Sequence, residues 1–258
     1  MNLKSKKSLQ FISIVTLIIL FFSIILITKK YNETKDVLAK EKNLPIHSVN
    51  VEDKKISLTF DVNFAEKDYL NDILNILEKY NIKGTFFVMG SWINYTEENG
   101  EKLKLIADKG HEIGNHSYIH PNFSQISDEK IEKEIRRTDE TIRKFTKDVS
   151  KLFRFPSGDY NEKAVRKVKD LGYIPIQWDV DSIDWREDGE KVEYERVKKK
   201  VKNGSIILYH NNAKYTTKNL ERIIKELKEE GYEFKTVGEI IYKENYYIDS
   251  EGLQHKKI

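Results

Sequence analysis

Five polar residues, Asp61, His116, Arg154, Asp184 and His210, each follow a separate short apolar run, and His120 stands four residues after His116. Carboxylates and imidazoles give and take protons, and two histidines at i and i+4 on one face of a helical turn can share a metal ion. Singly, each has a plainer reading: a carboxylate after a strand often caps a helix, and histidines ahead of Pro121 can simply be solvated. Together they predict a site, because parallel α/β folds collect active residues at the C-terminal ends of their strands. Cysteine is absent, so a thiolate nucleophile, a thiolate metal site and a disulfide framework are all excluded.

Such a site needs strands to carry it. Short β-branched or aromatic runs alternate with amphipathic segments from Ile56 onward. Ile56–Phe64, Thr85–Met89, His111–Asn115, Leu152–Phe155, Tyr173–Val180, Ser205–Tyr209 and Tyr232–Val237 read as strands. Between them, Leu70, Ile73, Leu74, Leu77 and Tyr80 repeat at helical spacing, as do Leu220, Ile223, Ile224 and Leu227. Ser127 and Asn161 are predicted helix caps, and Gly172 and Gly231 predicted helix ends. With 258 residues and no internal linker, the pattern predicts one α/β domain, either a barrel or a doubly wound sheet.

Hydrophobic residues at 39% are too many for a disordered chain. Residues 1–48 hold eight Lys against three acidic residues, a net of +5, so the rest of the chain, at −2, is close to neutral. No basic, aromatic-interleaved stripe appears, which argues against nucleic acid. Phe11–Thr28 is an uncharged, mostly apolar run of 18 residues flanked by lysines. As a helix it would be about 27 Å long, close to the roughly 30 Å hydrocarbon core, and longer than the usual core of a cleaved signal peptide. The slightly heavier positive flank before it predicts a single-pass anchor in the cell membrane, with the N-terminus cytoplasmic and the body outside.

In order along the chain, Thr59-Phe60-Asp61-Val62, His116-Ser117-Tyr118-Ile119-His120, Arg154-Phe155-Pro156-Ser157-Gly158, Asp181-Ser182-Ile183-Asp184-Trp185 and Leu208-Tyr209-His210 resemble the five motif blocks of the NodB-homology polysaccharide deacetylases, carbohydrate esterase family four. The resemblance runs from about Ile56 to Ile240. It implies a single distorted (β/α) barrel behind the N-terminal transmembrane helix, and hydrolysis of N-acetyl, less often O-acetyl, groups on a polysaccharide. By the same resemblance Asp61 is the general base and His210 the general acid, with Asp184 orienting His210 and Arg154 pairing with Asp61. His116 and His120 are the ligands of a divalent metal, usually zinc. The Ser157 backbone N–H would help bind the oxyanion, and Trp185, Leu208 and Tyr209 would wall the acetyl pocket. The implied layout is a cytoplasmic tip and anchor at 1–30, a polar tether at 31–50, the deacetylase domain at 51–245 and a polar tail at 246–258, acting as a monomer on its polymer.

One position departs from the family pattern. The first block normally has two consecutive aspartates, base then metal ligand, whereas Val62 follows Asp61 here. That leaves Asn63, a water or Asp61 itself to complete the coordination. The Phe-Asp-Val-Asn-Phe arrangement resembles anchored deacetylases linked to sporulation and cell-wall peptidoglycan. Three expectations follow: a metal-dependent N-deacetylase of cell-wall glycan, a catalytically silent glycan-binding module on the same barrel, or a tethered domain with an unrelated role.

Overall fold

The computed structural model describes residues 16–30, 43–147 and 149–257. The chain divides into two units, Met1–Lys42 and Asn43–Ile258. In the first, residues 16–30 form helix α1, exposed along its whole length. The expected span Phe11–Thr28 begins outside the described residues, and among the described residues no helix is long and apolar enough to cross a membrane. Residues 31–42 of the expected tether also lie outside them.

The second unit is built around strand β2 (Lys55–Val62). On one side β3 (Thr85–Val88), β4 (Glu112–Asn115), β5 (Leu152–Phe153) and β6 (Ile174–Pro175) follow outward in chain order. On the other side come β8 (Ile206–His210) and then β7 (Val180–Asp181), while β9 (Glu233–Phe234) pairs beside the start of β2. All these pairings are parallel. Passing from β2 to β6 and back through β7 and β8, the strands keep chain order without reversal. A doubly wound sheet reverses at a switch point, so the fold is the barrel, with β6 and β7 left unpaired to each other.

Alternation along β2 separates core from site. Ile56, Leu58, Phe60 and Val62 face an outer layer of helices. Helix α2 (Leu70–Lys79) brings Leu70, Ile73, Leu74 and Leu77 to that layer, and α8 (Thr216–Glu229) brings Leu220, Ile223, Ile224 and Leu227. Burying each such side chain contributes about 1.5–3 kcal/mol, so this apolar layer carries the stability. Ser57, Thr59 and Asp61 face the barrel interior, where the Thr59 hydroxyl donates to the Ile207 carbonyl at 2.7 Å. The expected caps are present. Ser127 accepts from the Lys130 N–H ahead of α5 (Asp128–Ile142), and Asn161 accepts from the Ala164 N–H ahead of α6 (Glu162–Asp170). Gly172, with φ +81°, follows the end of α6 in the left-handed region.

The edges of the domain depart from the sequence reading. The expected strand Tyr173–Val180 is broken into β6 and β7, and Ile46 fills the seam. Its N–H donates to the Pro175 carbonyl at 2.9 Å, and its own carbonyl accepts from the Gln177 N–H at 2.7 Å. Ser48 then bridges Ser205 at the start of β8. The expected polar tail instead forms β10 (Tyr246–Ile248) and β11 (Leu253–Lys256), which make a small sheet with β1 (Ser48–Val49). Ile46, Val49 and Ile248 pack with Phe87, Leu152 and Ile206 inside the barrel. The folded unit therefore begins at Asn43, not 51, and extends through 246–257. These strands are too short and too mixed in polarity to announce themselves; their order comes from partners far along the chain.

Candidate active site

The C-terminal ends of the strands open into a cleft of about 420 Å³, lined among others by Asp61, His120, Ser157, Trp185, Leu208 and His210. Asp61 and His210 are register partners on β2 and β8, so their side chains project from neighbouring strands to the same face. His116 lies beneath His120, and Arg154 and Asp184 are fully buried behind the carboxylate and the imidazole.

Asp61 is held by Arg154, whose Nη1 donates to Oδ1 at 2.9 Å while Nη2 donates to the Gln177 carbonyl at 3.0 Å. The guanidinium lies over the Phe87 ring, 4.1 Å from its centroid. Burial opposes ionisation of Asp61, but the positive charges of His116 when protonated, Arg154 and His210 override it and hold the carboxyl below its usual range. Asp61 is thus a carboxylate at neutral pH.

The two histidines converge by a different route from the one their spacing suggests. Residues 116–120 form a bend after β4, not a helical turn, and Ser117 and His120 take positive φ of 64° and 58°. The imidazole centroids end 5.0 Å apart. Glu134 of α5 holds the bend, accepting from the N–H groups of Tyr118 and Ile119 at 2.9 and 2.8 Å. Asn115 accepts from the Ser117 N–H at 2.9 Å. Gly90 permits the close approach, since a Cβ there would lie 2.5 Å from the Tyr118 ring. His116 Nδ1 is 3.0 Å from the Arg154 carbonyl and must donate to it, which leaves the Nε2 lone pair facing Asp61 Oδ2 at 3.4 Å. Burial lowers the His116 pKa to about 4 and also lowers that of His120, so both are neutral, ligand-ready imidazoles.

At His210, Nδ1 meets Asp184 Oδ1 at 2.7 Å, and the His210 N–H donates to Asp184 Oδ2 at 2.8 Å. The Thr216 hydroxyl donates to the same oxygen at 2.6 Å. Burial works against a charged imidazole, yet the hydrogen-bonded Asp184 carboxylate, helped by Asp61 and Asp181, outweighs it and raises the His210 pKa. With Nδ1 engaged, Nε2 is the edge free to serve the cleft.

Leu208 and Trp185 line the cleft, as does Ser157 with a left-handed φ of 54°. Tyr209 does not. It alternates to the other face of β8 and stacks near Phe60 in the helix-facing core. Val62 is likewise buried in that core. Asn63 lines the cleft, and its Oδ1 is buried without a hydrogen-bond partner. Among the described residues no group of three or more His, Asp or Glu is placed to hold a metal ion. The orphaned amide oxygen, on a cleft that His120 also lines, nevertheless fits a divalent cation that accepts N and O donors. Trp178, Asp181 and Asn212 line the cleft without having been singled out in the sequence; Asp181 belonged to the quoted fourth block, while Trp178 and Asn212 carried no signal.

A family model described as polysaccharide deacetylase matches residues 48–176. The chain belongs to this family. It is 32% identical over 205 residues to the peptidoglycan-N-acetylmuramic acid deacetylase PdaA of Bacillus subtilis, covering 78% of this chain and 76% of that protein. A peptidoglycan-N-acetylglucosamine deacetylase of Bacillus cereus is 34% identical over 194 residues, 73% of this chain and 89% of that protein. Among solved structures, the deacetylase barrel superposes with a TM-score of 0.72 on BA3943, described as a CE4 family pseudoenzyme from Bacillus anthracis, at 32% identity over 83% of this chain and 73% of that one. A BA3943 mutant described as having restored enzymatic activity matches with the same score at 35% identity, over 77% and 71% of the two chains.

Proposed function

We propose that this chain hydrolyses N-acetyl groups on amino sugars of peptidoglycan, with Asp61 as general base and His210 as general acid. The observation that carries the reading is the register pairing of an ionised Asp61 with a His210 whose proton is secured by Asp184, both opening on one cleft. Asp61 removes a proton from the water that attacks the acetyl carbonyl carbon. As the carbon–nitrogen bond breaks, His210 gives its Nε2 proton to the leaving nitrogen, so the products are acetate and a free amine. Ser157, which lines the cleft in a left-handed backbone conformation, is the proposed oxyanion donor through its backbone N–H. His116, His120 and Asn63 are the residues that would hold a divalent ion, zinc on the family's pattern; when bound it supplies Lewis acidity to the acetyl carbonyl. The relatives named as peptidoglycan deacetylases support the polymer assignment.

The test is amine release from acetylated peptidoglycan fragments under excess zinc, alongside zinc titration calorimetry. Wild type is expected to release amine, His210→Ala to release none while keeping its zinc, and Asn63→Ala and His116→Ala to lose zinc affinity. Two observations favour a second reading, a silent glycan-binding module: Val62 stands where the family carries a ligand, and a similar solved barrel is described as a pseudoenzyme. Oligosaccharide binding without amine release under every metal tested would establish it.

The proposal includes a single-pass anchor that holds the body outside the cytoplasm. Supporting it are the uncharged run Phe11–Thr28 and the exposed apolar side chains of α1, such as Leu17, Phe21 and Leu26. Recovery of the intact full chain in a salt-washed membrane fraction is expected, and its recovery as soluble secreted protein would remove the anchor from the proposal.

A further inference from the structure

His47 stands one residue before the stretch that matches the family, and the proposed chemistry does not use it. It follows Ile46 in the segment that fills the seam between β6 and β7, and its backbone N–H donates to the Gly252 carbonyl at 2.8 Å. Gly252 leaves room for the imidazole, because a Cβ there would lie 2.3 Å from the ring. The half-buried ring then meets two partners. Its Nδ1 is 3.1 Å from the Trp178 carbonyl, which can only accept, so Nδ1 carries the proton. That leaves Nε2 to accept from the Tyr160 hydroxyl at 3.2 Å. Both nitrogens are thereby committed in one neutral tautomer, and burial, which lowers the His47 pKa, favours the neutral form.

The two partners belong to different segments of the cleft. Trp178 lines it directly: Nε1 donates to Asp181 Oδ2 at 3.1 Å, and the indole lies against Gly158, where a Cβ would sit 3.3 Å from the ring. Tyr160 closes the loop 156–160, which carries Ser157 and leads into Asn161, the cap of α6. This loop needs holding. Ser157 and Gly158 both take positive φ, of 54° and 66°, and a non-glycine residue persists there only where its surroundings fix it. Asp159 gives the loop one fastening, accepting from the Ser124 N–H and hydroxyl, both at 2.8 Å. Tyr160 gives a second, which runs through His47 to the backbone of Trp178.

We infer that His47 is a positioning residue of the cleft: by bridging Trp178 to Tyr160 it holds the Ser157 loop in the conformation that the proposed oxyanion donor needs. The role of Ser157 rests on the proposed deacetylation, whereas the bridge can be read without substrate. Hydrogen exchange of the full chain reads it, because the Gly158 and Asp159 amides donate to the Phe155 and Pro156 carbonyls at 3.1 and 2.9 Å and exchange when the loop opens. Tyr160→Phe keeps the ring and removes the hydroxyl; His47→Asn has a short amide that can replace Nδ1 but not reach Tyr160. Each should speed exchange of these amides by about threefold to tenfold, the worth of one hydrogen bond. His47→Gln, whose longer amide oxygen can stand in for Nε2, should restore most of the protection. Val49→Ala loosens the same segment without touching the bridge and should leave these amides as in wild type. In amine release under excess zinc, Tyr160→Phe should lower kcat with KM little changed, because an oxyanion contact is made in the transition state. Unchanged exchange in both Tyr160→Phe and His47→Asn overturns the bridge, as does equal acceleration in Val49→Ala. Faster exchange with kcat intact would make the bridge structural only and remove the positioning role. Should wild type release no amine, the deacetylase reading falls, and the exchange pattern alone decides whether His47 holds the loop.

Discussion

Arg154 is fully buried, and its guanidinium is divided between the Asp61 carboxylate and the Gln177 carbonyl, with Nε left unpaired. Removing it strands a carboxylate in the barrel interior. Arg154→Met is expected to cost about 3–5 kcal/mol of stability in urea unfolding at neutral pH. It should also move the acid limb of the pH–rate profile upward, because Asp61, as the proposed base, must be deprotonated to act and loses the cation that favours its ionised form. His210, the proposed acid, works in the opposite sense: its pKa is raised, an acid must be protonated to act, and activity is expected to fall as pH rises through that value. Asp184→Asn removes the raising charge, so the basic limb should shift to lower pH. A basic limb that stays in place would show that His210 is not the titrating acid. Every residue to which the proposal gives a chemical role stood out in the sequence, because proton transfer and metal ligation restrict residue type. Tyr209 was misread because membership of a motif block says nothing about facing, and period-two alternation put it opposite Leu208 and His210.

The elements that position those residues were legible where periodicity was long. Helices α2, α5, α6 and α8 lie where their apolar spacing and caps placed them. The histidine bend was not, since i, i+4 spacing suggested a helical turn and two left-handed residues produced the convergence instead. Glu134, sixteen residues after Tyr118, carried no local signal, yet it is the acceptor on which the bend hangs. Glu134→Ala is expected to lower zinc affinity about tenfold without touching a ligand, as loss of an outer support does. Glu134→Gln, which keeps an acceptor oxygen, should recover most of that affinity. Calorimetry on the two variants checks it, and equal losses in both would mean that charge, not the pair of hydrogen bonds, is what matters.

On the scale of the whole molecule, the barrel is completed by residues that sequence patterning assigned to linker and tail. Ile46 and Val49 are fully buried in the seam and the small sheet. A chain starting at Val51 should therefore be less stable than one starting at Asn43 by about 4 kcal/mol, which thermal unfolding would record as a fall of roughly 10 °C. Equal melting temperatures would show that the seam segment is ornamental. Its partners decide when it can take its place. Ile46 pairs beside Ile176, Ser48 bridges Ser205, and Ser48–Val49 lie along Leu253 and Gln254 near the other end of the domain. Translation delivers residues 46–49 some two hundred residues before Leu253, so an early part of the domain is among the last to be seated. Until then the nascent barrel carries an open edge with unpaired backbone groups, the condition in which sheets pair with the wrong neighbour. Closure is thus a clock as well as a contact: a chain that stopped before Leu253 would lack β11 and leave β1 without its sheet partner.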